Sequence, residues 1–126
     1  MTSVVAAVIE RDGHILIGQR PEGKAHPLKW EFPGGKVEPH ESPPDALARE
    51  LAEELDIRPV IGPEITRYQY QYPGRPPILL IFFKVDRFTG EPRNLVFERT
   101  AWVVPSDLPS YDFLDGDVEF VRSLAG

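Results

Sequence analysis

The sequence of 126 residues has no cysteine, a single methionine and no apolar run longer than a strand. The absence of cysteine excludes disulfides, thiolate zinc sites and cysteine nucleophiles. The longest apolar run, residues 78–83, is far shorter than the roughly 18 to 20 residues that a membrane-spanning helix requires. The first three residues, Met1-Thr2-Ser3, lack the basic region and apolar segment of a secretion signal. We therefore expect a cytoplasmic protein.

Basic residues are also scarce, because 14 lysines and arginines stand against 20 acids and leave a net charge of −6. Surfaces that bind nucleic acid are rich in basic residues, so a nucleic acid is not an expected partner. The 14 prolines and 10 glycines are spread along the chain, which indicates many turns rather than a linker. The length suits one domain. We predict a single domain over residues 1–126.

The hydrophobic pattern predicts strands, a helix, more strands and a last helix. Asp12-Gly13 lies between two apolar runs, which is typical of a β-hairpin. Residues 18–34 are predicted as a loop that contains the short extended piece Trp30-Glu31-Phe32. The predicted strands are residues 4–10, 15–17, 65–72, 78–85 and 101–104, and residues 118–124 have helical spacing. This order predicts an α+β fold, with a mixed β-sheet flanked by helices.

The clearest helix signal covers residues 43–55. Ser42 is a suitable N-cap, and Pro43 suits the first helical position. Leucine recurs at every fourth position, at Leu47, Leu51 and Leu55. The pattern therefore predicts an amphipathic helix with one apolar face.

Acidic residues are concentrated around this helix, with seven of the 20 acids between positions 35 and 57. Glu50, Glu53 and Glu54 lie within about 100° of the helix circumference, and Glu54 is only about 20° from the leucine face. Carboxylates this close raise a pKa, pair with cations or share a metal ion. Arg49 can neutralise only one of them, and hard oxygen ligands suit Mg²⁺ or Mn²⁺. The alternative is a solvated acidic helix face.

The segment Pro33-Gly34-Gly35-Lys36 precedes the helix and brings glycine and a cation next to the acids. Glycines allow the main chain to approach a metal ion or a phosphate closely. Lys36 and Arg20 can meet anionic oxygens. A metal ion with basic side chains favours attack on a phosphate ester or anhydride. The alternative for the glycine pair is an ordinary turn.

The same region resembles the Nudix box, G-x5-E-x7-R-E-U-x-E-E-x-G-U, in which U is aliphatic. Gly35 is followed after five residues by Glu41 and after seven more by the run Arg49-Glu-Leu-Ala-Glu-Glu-Leu-Asp-Ile. Eight of the nine fixed positions match, and the exception is Asp56 in place of glycine. We expect left-handed backbone at Asp56, with modest strain and no loss of chemistry. The segment WEFPGGKVE resembles the MutT-like and CTP pyrophosphohydrolase-like branch.

The resemblance implies the Nudix fold, an α/β/α sandwich, and assigns roles to residues by their place in the box. The implied metal ligands are the Gly35 carbonyl, Glu50, Glu53 and Glu54. Glu50 is also the candidate general base, and Arg49 orients the box carboxylates, Glu41 included. Arg20 and Lys36 are expected to contact the phosphates.

Relatives often use one further glutamate, six residues before the tryptophan that is here Trp102. That position holds Val96, and Glu98 is the nearest acid. We expect Glu98 to be a metal ligand if the loop is shifted, and a surface charge otherwise.

Base selection in this branch uses a residue at the start of the last helix, and Asp117 best matches that position. A carboxylate there accepts hydrogen bonds from an exocyclic amine of cytosine or guanine. The alternative is a helix cap, which Asp115 or Asp117 can provide. Phe32, Tyr68 and Trp102 are candidates to pack against the base, although aromatic residues on strands more often belong to the core.

The resemblance thus implies a Mg²⁺-dependent hydrolase, for which Mn²⁺ is also suitable. Its reaction cleaves a nucleoside triphosphate of the oxidised purine or cytidine type to a monophosphate and pyrophosphate. The alternative substrates are ADP-ribose, a dinucleoside polyphosphate or capped RNA. A non-catalytic binding module with the same fold is a third interpretation, against which the intact box carboxylates argue. The partner is a small nucleotide, and the protein is a monomer or a homodimer.

Overall fold

A seven-stranded mixed sheet runs through the molecule, which a computed structural model describes over residues 1–126. In chain order the strands are β1 (Thr2–Arg11), β2 (His14–Gln19), β3 (Trp30–Glu31), β4 (Gly34–Lys36), β5 (Arg58–Val60), β6 (Glu64–Tyr70), β7 (Ile78–Val85), β8 (Arg87–Thr89) and β9 (Arg99–Val103). The α-helices are α1 (Pro43–Leu55) and α2 (Val118–Ala125), and 3-10 helices cover Pro105–Ser110 and Asp115–Asp117. At 13 and 8 residues, neither α-helix has the length and apolar character needed to cross a membrane.

The strand order is β3-β2-β1-β7-β6, with β4 paired to β1 and β9 paired to β2, while β5 and β8 form a separate two-stranded sheet. Only β1 and β7 are parallel. Strands β1 and β2 pair at their hairpin end alone, over residues 9–11 and 14–16. Beyond that end the two strands diverge, because β4 pairs with the start of β1 and β3 pairs with the end of β2. This gap in the sheet positions the site described below.

Each face of the sheet is covered by one helix, which gives the predicted α/β/α sandwich. On one face the three leucines of α1 pack against Val5, Ala7 and Ile9 of β1. On the other face Phe120 of α2 stacks on Phe82 of β7, with ring centroids 4.0 Å apart. Successive residues of β1 point to opposite faces, so both cores include this strand.

The local signals of the sequence are confirmed at the hairpin and at α1. Strands β1 and β2 are antiparallel around Asp12-Gly13. Helix α1 has the predicted bounds, and the Ser42 hydroxyl accepts a hydrogen bond from the Asp45 amide at 3.2 Å. Asp56 ends the helix in the left-handed conformation, at φ 56° and ψ 38°.

The sequence analysis was wrong or incomplete at three places. The predicted loop over residues 18–34 also contains the end of β2 and the start of β4, whereas β3 coincides with the predicted extended piece. Strands β5 and β8, of three residues each, gave no signal, because so short a run shows no periodicity. Asp115 does not cap α2, since it begins a 3-10 turn and the helix start has no side-chain cap.

Candidate active site

A cleft of about 380 Å³ opens where β1 and β2 diverge. Its acidic wall is formed by Glu50 and Glu54 of α1, and main chain of β4 lies beside them at Gly34 and Gly35. The other chemically active side chains that line it are Arg20, Lys24, His26, Glu31, Lys36, Tyr72 and Asp117. The cleft therefore combines carboxylates, cations and exposed backbone.

Arg49 organises the carboxylates next to the cleft. Its Nε and Nη2 atoms donate to the two oxygens of Glu41, at 2.7 and 2.9 Å. Its Nη1 atom donates to Glu50 at 2.9 Å and lies 3.5 Å from Glu53. Nη2 also reaches the Lys36 carbonyl at 3.1 Å. The box arginine thus pairs with Glu41 and Glu50, as the resemblance implies, and these bonds also connect α1 to the segment before it.

The electrostatics of this network are set by the bidentate pair. The hydrogen bonds from Arg49 lower the pKa of Glu41 to about 2, and a hydrogen bond from the Glu38 amide acts in the same direction. The hydrogen bonds to Glu41 in turn raise the pKa of Arg49 above its usual value. Both groups therefore stay ionised at any physiological pH, and the position of Glu50 depends on them.

Glu54 and Glu50 are in the opposite situation, because burial raises the pKa of each. The pKa of Glu54 reaches about 8, and the nearby Glu31 and Glu50 carboxylates contribute to this rise. One oxygen of Glu54 accepts a hydrogen bond from the Gly34 amide at 3.1 Å. The acidic wall thus holds carboxylates whose negative charge the protein only partly compensates.

Gly35 lies where β4 approaches α1 closely. A Cβ atom at this position would lie 2.5 to 2.6 Å from the carboxyl atoms of Glu50, so any other residue would displace the Glu50 carboxylate from its present position. The glycine therefore keeps open the space in which main chain and carboxylate meet.

The oxygen atoms at the acidic wall are of the kind that bind a divalent metal ion. Carboxylate and carbonyl oxygens are the donors that Mg²⁺ and Mn²⁺ take, and Glu50, Glu54 and the Gly35 main chain supply them in one place. No set of three acidic or histidine side chains is gathered closely enough to hold a metal ion without rearrangement. The donor set fits the metal in its chemistry, and the carboxylates lie within one turn of α1.

Arg20 lines the cleft, but its guanidinium already has protein partners. It donates to Glu31 at 3.1 and 3.4 Å and to the Ala25 carbonyl at 2.7 Å. Glu31 is mostly buried, and burial raises its pKa against the opposing effect of Arg20. The sequence analysis missed Glu31. The signal that marks it is a charged residue between two buried aromatic residues, Trp30 and Phe32.

Of the residues expected to contact the substrate, Lys36, Phe32 and Asp117 also line the cleft. Phe32 is 2% exposed and stacks on Phe113, so most of its ring belongs to the core. Asp117 is 6% exposed, and burial raises its pKa to about 8. Its side chain makes no capping hydrogen bond, which removes the alternative role that the sequence left open.

Several expected residues lie outside the cleft. Glu53 points to solvent apart from its contact with Arg49. Glu98 is exposed, whereas Val96 and the buried Phe97 line the cleft. The Glu98 amide donates to the Gln19 carbonyl at 2.8 Å, which fixes this loop in the unshifted register. The structure thus favours the surface-charge interpretation of Glu98.

The other two aromatic candidates for base packing do not line the cleft either. Tyr68 packs on Phe82, with ring centroids 5.8 Å apart. Trp102 packs on the α1 side of the sheet, where the Arg11 guanidinium lies 4.4 Å from its ring centre. The sequence analysis instead missed Tyr72 and His26, whose rings meet at the cleft at 4.7 Å. The sequence of the loop that contains His26 shows no regular spacing of apolar residues, so no local pattern predicts this contact.

Comparisons with known proteins agree with this geometry. The NUDIX domain model matches residues 1–124. The chain is 39% identical to the CTP pyrophosphohydrolase of Escherichia coli over 123 residues, which are 98% of this chain and 90% of that protein. It is 34% identical to the 8-oxo-dGTP diphosphatase of Haemophilus influenzae over 122 residues, which are 96% of this chain and 89% of that protein.

Among solved structures, the solution structure of the E. coli ORF135 protein superposes with a TM-score of 0.86 at 39% identity, over 97% of this chain and 86% of that one. The match confirms the fold class expected from the sequence. The family match over nearly all residues confirms the resemblance first seen in the box. This chain belongs to the Nudix hydrolase family.

Proposed function

We propose that the protein hydrolyses the pyrophosphate linkage of a nucleoside triphosphate, with Mg²⁺ or Mn²⁺ as cofactor, to a nucleoside monophosphate and pyrophosphate. The observation that carries the proposal is the shared cleft. Glu50, which Arg49 positions, and Glu54 face the same space as two lysines and a buried aspartate. The names of the two curated relatives, a CTP pyrophosphohydrolase and an 8-oxo-dGTP diphosphatase, support this reaction class.

The proposed metal ligands are the Gly35 carbonyl, Glu50, Glu53 and Glu54. When bound there, a divalent cation polarises a phosphate oxygen and lowers the pKa of a water molecule. Glu50 accepts the proton of the attacking water as general base. Arg49 orients Glu50, and Glu41 in turn fixes Arg49 by two hydrogen bonds. Glu98 is retained as a weaker candidate ligand, because the structure places it at the surface.

The proposed phosphate contacts are Lys36, which lines the cleft, and Arg20. Arg20 uses Nε for the Ala25 carbonyl and Nη1 for Glu31, which leaves its Nη2 atom to donate to a phosphate. Lys24 lines the same cleft and adds positive charge there. These cations favour binding of the triphosphate over binding of an uncharged nucleoside.

We assign base recognition to Asp117. With a pKa of about 8 its carboxyl group is protonated at neutral pH, so it offers one donor and one acceptor. Such a pair matches the edge of a base where an exocyclic amine adjoins a ring acceptor, as in cytosine N4 and N3. A cytidine triphosphate or an oxidised purine triphosphate is therefore the proposed substrate, and Phe32 contributes a ring edge beside it.

The test is Mg²⁺-dependent cleavage of a nucleotide panel. Cleavage is followed as pyrophosphate release for the triphosphates and as chromatographic loss of substrate for ADP-ribose and diadenosine tetraphosphate, whose hydrolysis releases no pyrophosphate. The panel holds the canonical triphosphates, 8-oxo-dGTP, 5-methyl-dCTP, ADP-ribose and diadenosine tetraphosphate. We expect Glu50→Gln to reduce kcat by about 10²- to 10⁴-fold, because it removes the base. The matched control is Glu91→Gln, which removes an exposed carboxylate that pairs with Arg11 away from the cleft.

The outcomes separate the alternatives left open by the sequence. Release from a triphosphate that disappears in Glu50→Gln and persists in Glu91→Gln supports the proposal. Cleavage of ADP-ribose or of the dinucleotide alone contradicts the substrate class. Binding of nucleotides without turnover of any of them, unchanged in Glu50→Gln, would indicate a binding module instead.

A further inference from the structure

Two tyrosine hydroxyls bind the main chain immediately before Asp117. The Tyr68 hydroxyl donates to the Gly116 carbonyl at 2.6 Å. The Gly116 amide donates to the Tyr72 hydroxyl oxygen at 3.0 Å. Both polar groups of Gly116 are thus bound by side chains that are 48 and 44 residues away in the sequence. We call this pair of contacts the tyrosine clamp.

The clamp depends on glycine at position 116. A Cβ atom there would lie 2.9 Å from the Tyr72 hydroxyl oxygen, 3.2 Å from a ring carbon of Tyr70 and 3.3 Å from a methyl of Leu80. Any other residue would displace the Tyr72 hydroxyl or the Gly116 main chain and so disturb the contact between them. Gly116 itself is buried. The 3-10 turn at residues 115–117 therefore packs closely against Tyr70 at the end of β6 and Tyr72 just after it.

Asp117 depends on this anchoring because its own side chain provides none. Its carboxyl group caps no helix amide, although it stands at the start of α2. Helix α2 has only eight residues and follows a 3-10 turn, so the start of the helix is not rigid by itself. The position of the carboxyl group in the cleft therefore follows the position of the Gly116 main chain.

We propose that Tyr68 and Tyr72 are positioning residues that set the nucleobase preference of the enzyme by fixing Gly116 and thereby the Asp117 carboxyl group. This inference rests on the proposed role of Asp117 in base recognition. A hydrogen bond to a base requires donor and acceptor within a few tenths of an ångström, so loss of one anchor weakens discrimination. Tyr68 does not line the cleft, so it acts on a bound base only through the main chain.

The hydroxyl groups of Tyr68 and Tyr72 both remain protonated at neutral pH. Burial raises the pKa of Tyr72 to about 12 and raises that of Tyr68 as well. The geometry of the clamp is therefore independent of pH in neutral solution, and a pH effect on base preference belongs to other groups.

The experiment compares triphosphates that differ in one exocyclic amine. CTP and UTP differ at C4 of the pyrimidine, and GTP and ITP differ at C2 of the purine. The ratio of kcat/KM within each pair is measured for Tyr68→Phe, Tyr72→Phe and Asp117→Asn. The control is Tyr70→Phe. Tyr70 lies on β6 with Tyr68 and its ring touches the Tyr72 ring, but its hydroxyl is not part of the clamp. The same ratios are measured as dissociation constants in the Glu50→Gln background, where turnover is not needed.

Of the CTP/UTP and GTP/ITP ratios of kcat/KM, one will be larger in the wild type. We expect each clamp variant to reduce that ratio by about five- to tenfold, the effect of one lost hydrogen bond. The loss should fall on the amine-bearing nucleotide, while Tyr70→Phe keeps the wild-type ratio. If Asp117→Asn reduces the ratio and both clamp variants keep it, the clamp is structural only and the inference is overturned. If Asp117→Asn itself leaves both ratios unchanged, the base-recognition part of the proposed function is wrong, and the inference falls with it.

Discussion

Glu41 and Glu91 each accept a pair of hydrogen bonds from an arginine, but in different surroundings. Glu41 and Arg49 have side chains 16% and 26% exposed, next to the cleft. Glu91 and Arg11 have side chains 74% and 37% exposed and lie away from it. Arg49 also binds Glu50, whereas Arg11 lies over Trp102. The Glu41–Arg49 pair thus positions a candidate catalytic group, whereas the Glu91–Arg11 pair is a surface ion pair with no such group beside it.

Removing the charge from Glu41 should therefore disturb catalysis. Glu41→Gln leaves one oxygen acceptor for Arg49 and frees the guanidinium to follow Glu50 or Glu53. We expect kcat to fall by about tenfold or more, because a small misplacement of the base is costly. Steady-state kinetics on the preferred triphosphate measure this effect.

Glu91→Gln is the matched control for that change, since it makes the same substitution in the exposed pair. Its kcat should stay within about twofold of the wild type. Equal loss of activity in the two variants would mean that the Glu41 pair contributes only to general stability.

At the level of elements, α1 is the part of the fold that short-range signals determine most completely. Its N-cap, its first proline and its leucine face are all local, so the helix was predicted with the bounds that it has. Strand β4 has no such signal. Its three residues are extended because they pair with β1, about 30 positions earlier in the chain, and only the folded sheet supplies that partner.

The candidate site divides in the same way. The carboxylates of α1 and their arginine were predictable, because the box has fixed spacings on one helix. Three further residues reach the cleft from separate parts of the chain, which the topology alone brings together: Glu31 on β3, His26 in a loop and Tyr72 just after β6. The role of Glu98 stayed open because nothing in the sequence indicates which of two adjacent residues turns inward. In the structure Phe97 is buried and Glu98 is exposed.

The backbone at the end of α1 is in a conformation that costs a non-glycine residue free energy, since Asp56 is left-handed where the family pattern has glycine. Asp56→Gly should increase the free energy of unfolding by about 0.5 to 1 kcal/mol, because glycine adopts this conformation without a Cβ clash. The substitution also removes an exposed contact between Asp56 and Arg93 at 3.4 Å, which opposes the gain slightly.

Urea denaturation of Asp56→Gly measures the change, and the same substitution in an Arg93→Gln background isolates the backbone effect. Activity should be unchanged, since residue 56 does not line the cleft. A loss of stability in both backgrounds would show that the aspartate is adapted to the left-handed cap.

For the whole molecule, the gap in the central sheet has an electrostatic consequence. The sheet closes by its β1–β2 hairpin at one end and opens into the cleft at the other, where acidic side chains from several elements are buried together. Asp117 is the most buried of them. Glu31 raises its pKa further, and Arg20 acts against that rise.

This arrangement makes global stability depend on pH through Asp117. The folded pKa is about 8 and the ordinary value is 3.8, so between these values the folded state binds more protons than the unfolded state. The contribution of Asp117 to stability is therefore complete below about pH 4 and is lost as the pH rises through 8. In metal-free protein, Asp117→Asn should be more stable than wild type at pH 8.5 by about 1 kcal/mol or more, and this advantage should shrink at pH 5.

Urea denaturation in the presence of EDTA at several pH values measures this difference. The control is Asp115→Asn, an exposed acid two residues earlier, which should follow the wild-type curve throughout. If the curves of wild type and Asp117→Asn stay parallel from pH 4 to 9, Asp117 ionises in the folded protein as it does in water. Its carboxyl group would then be charged at neutral pH and could only accept hydrogen bonds. The site would favour a base edge that presents two adjacent N–H donors, such as N1 and N2 of guanine, over an edge that presents one donor and one acceptor.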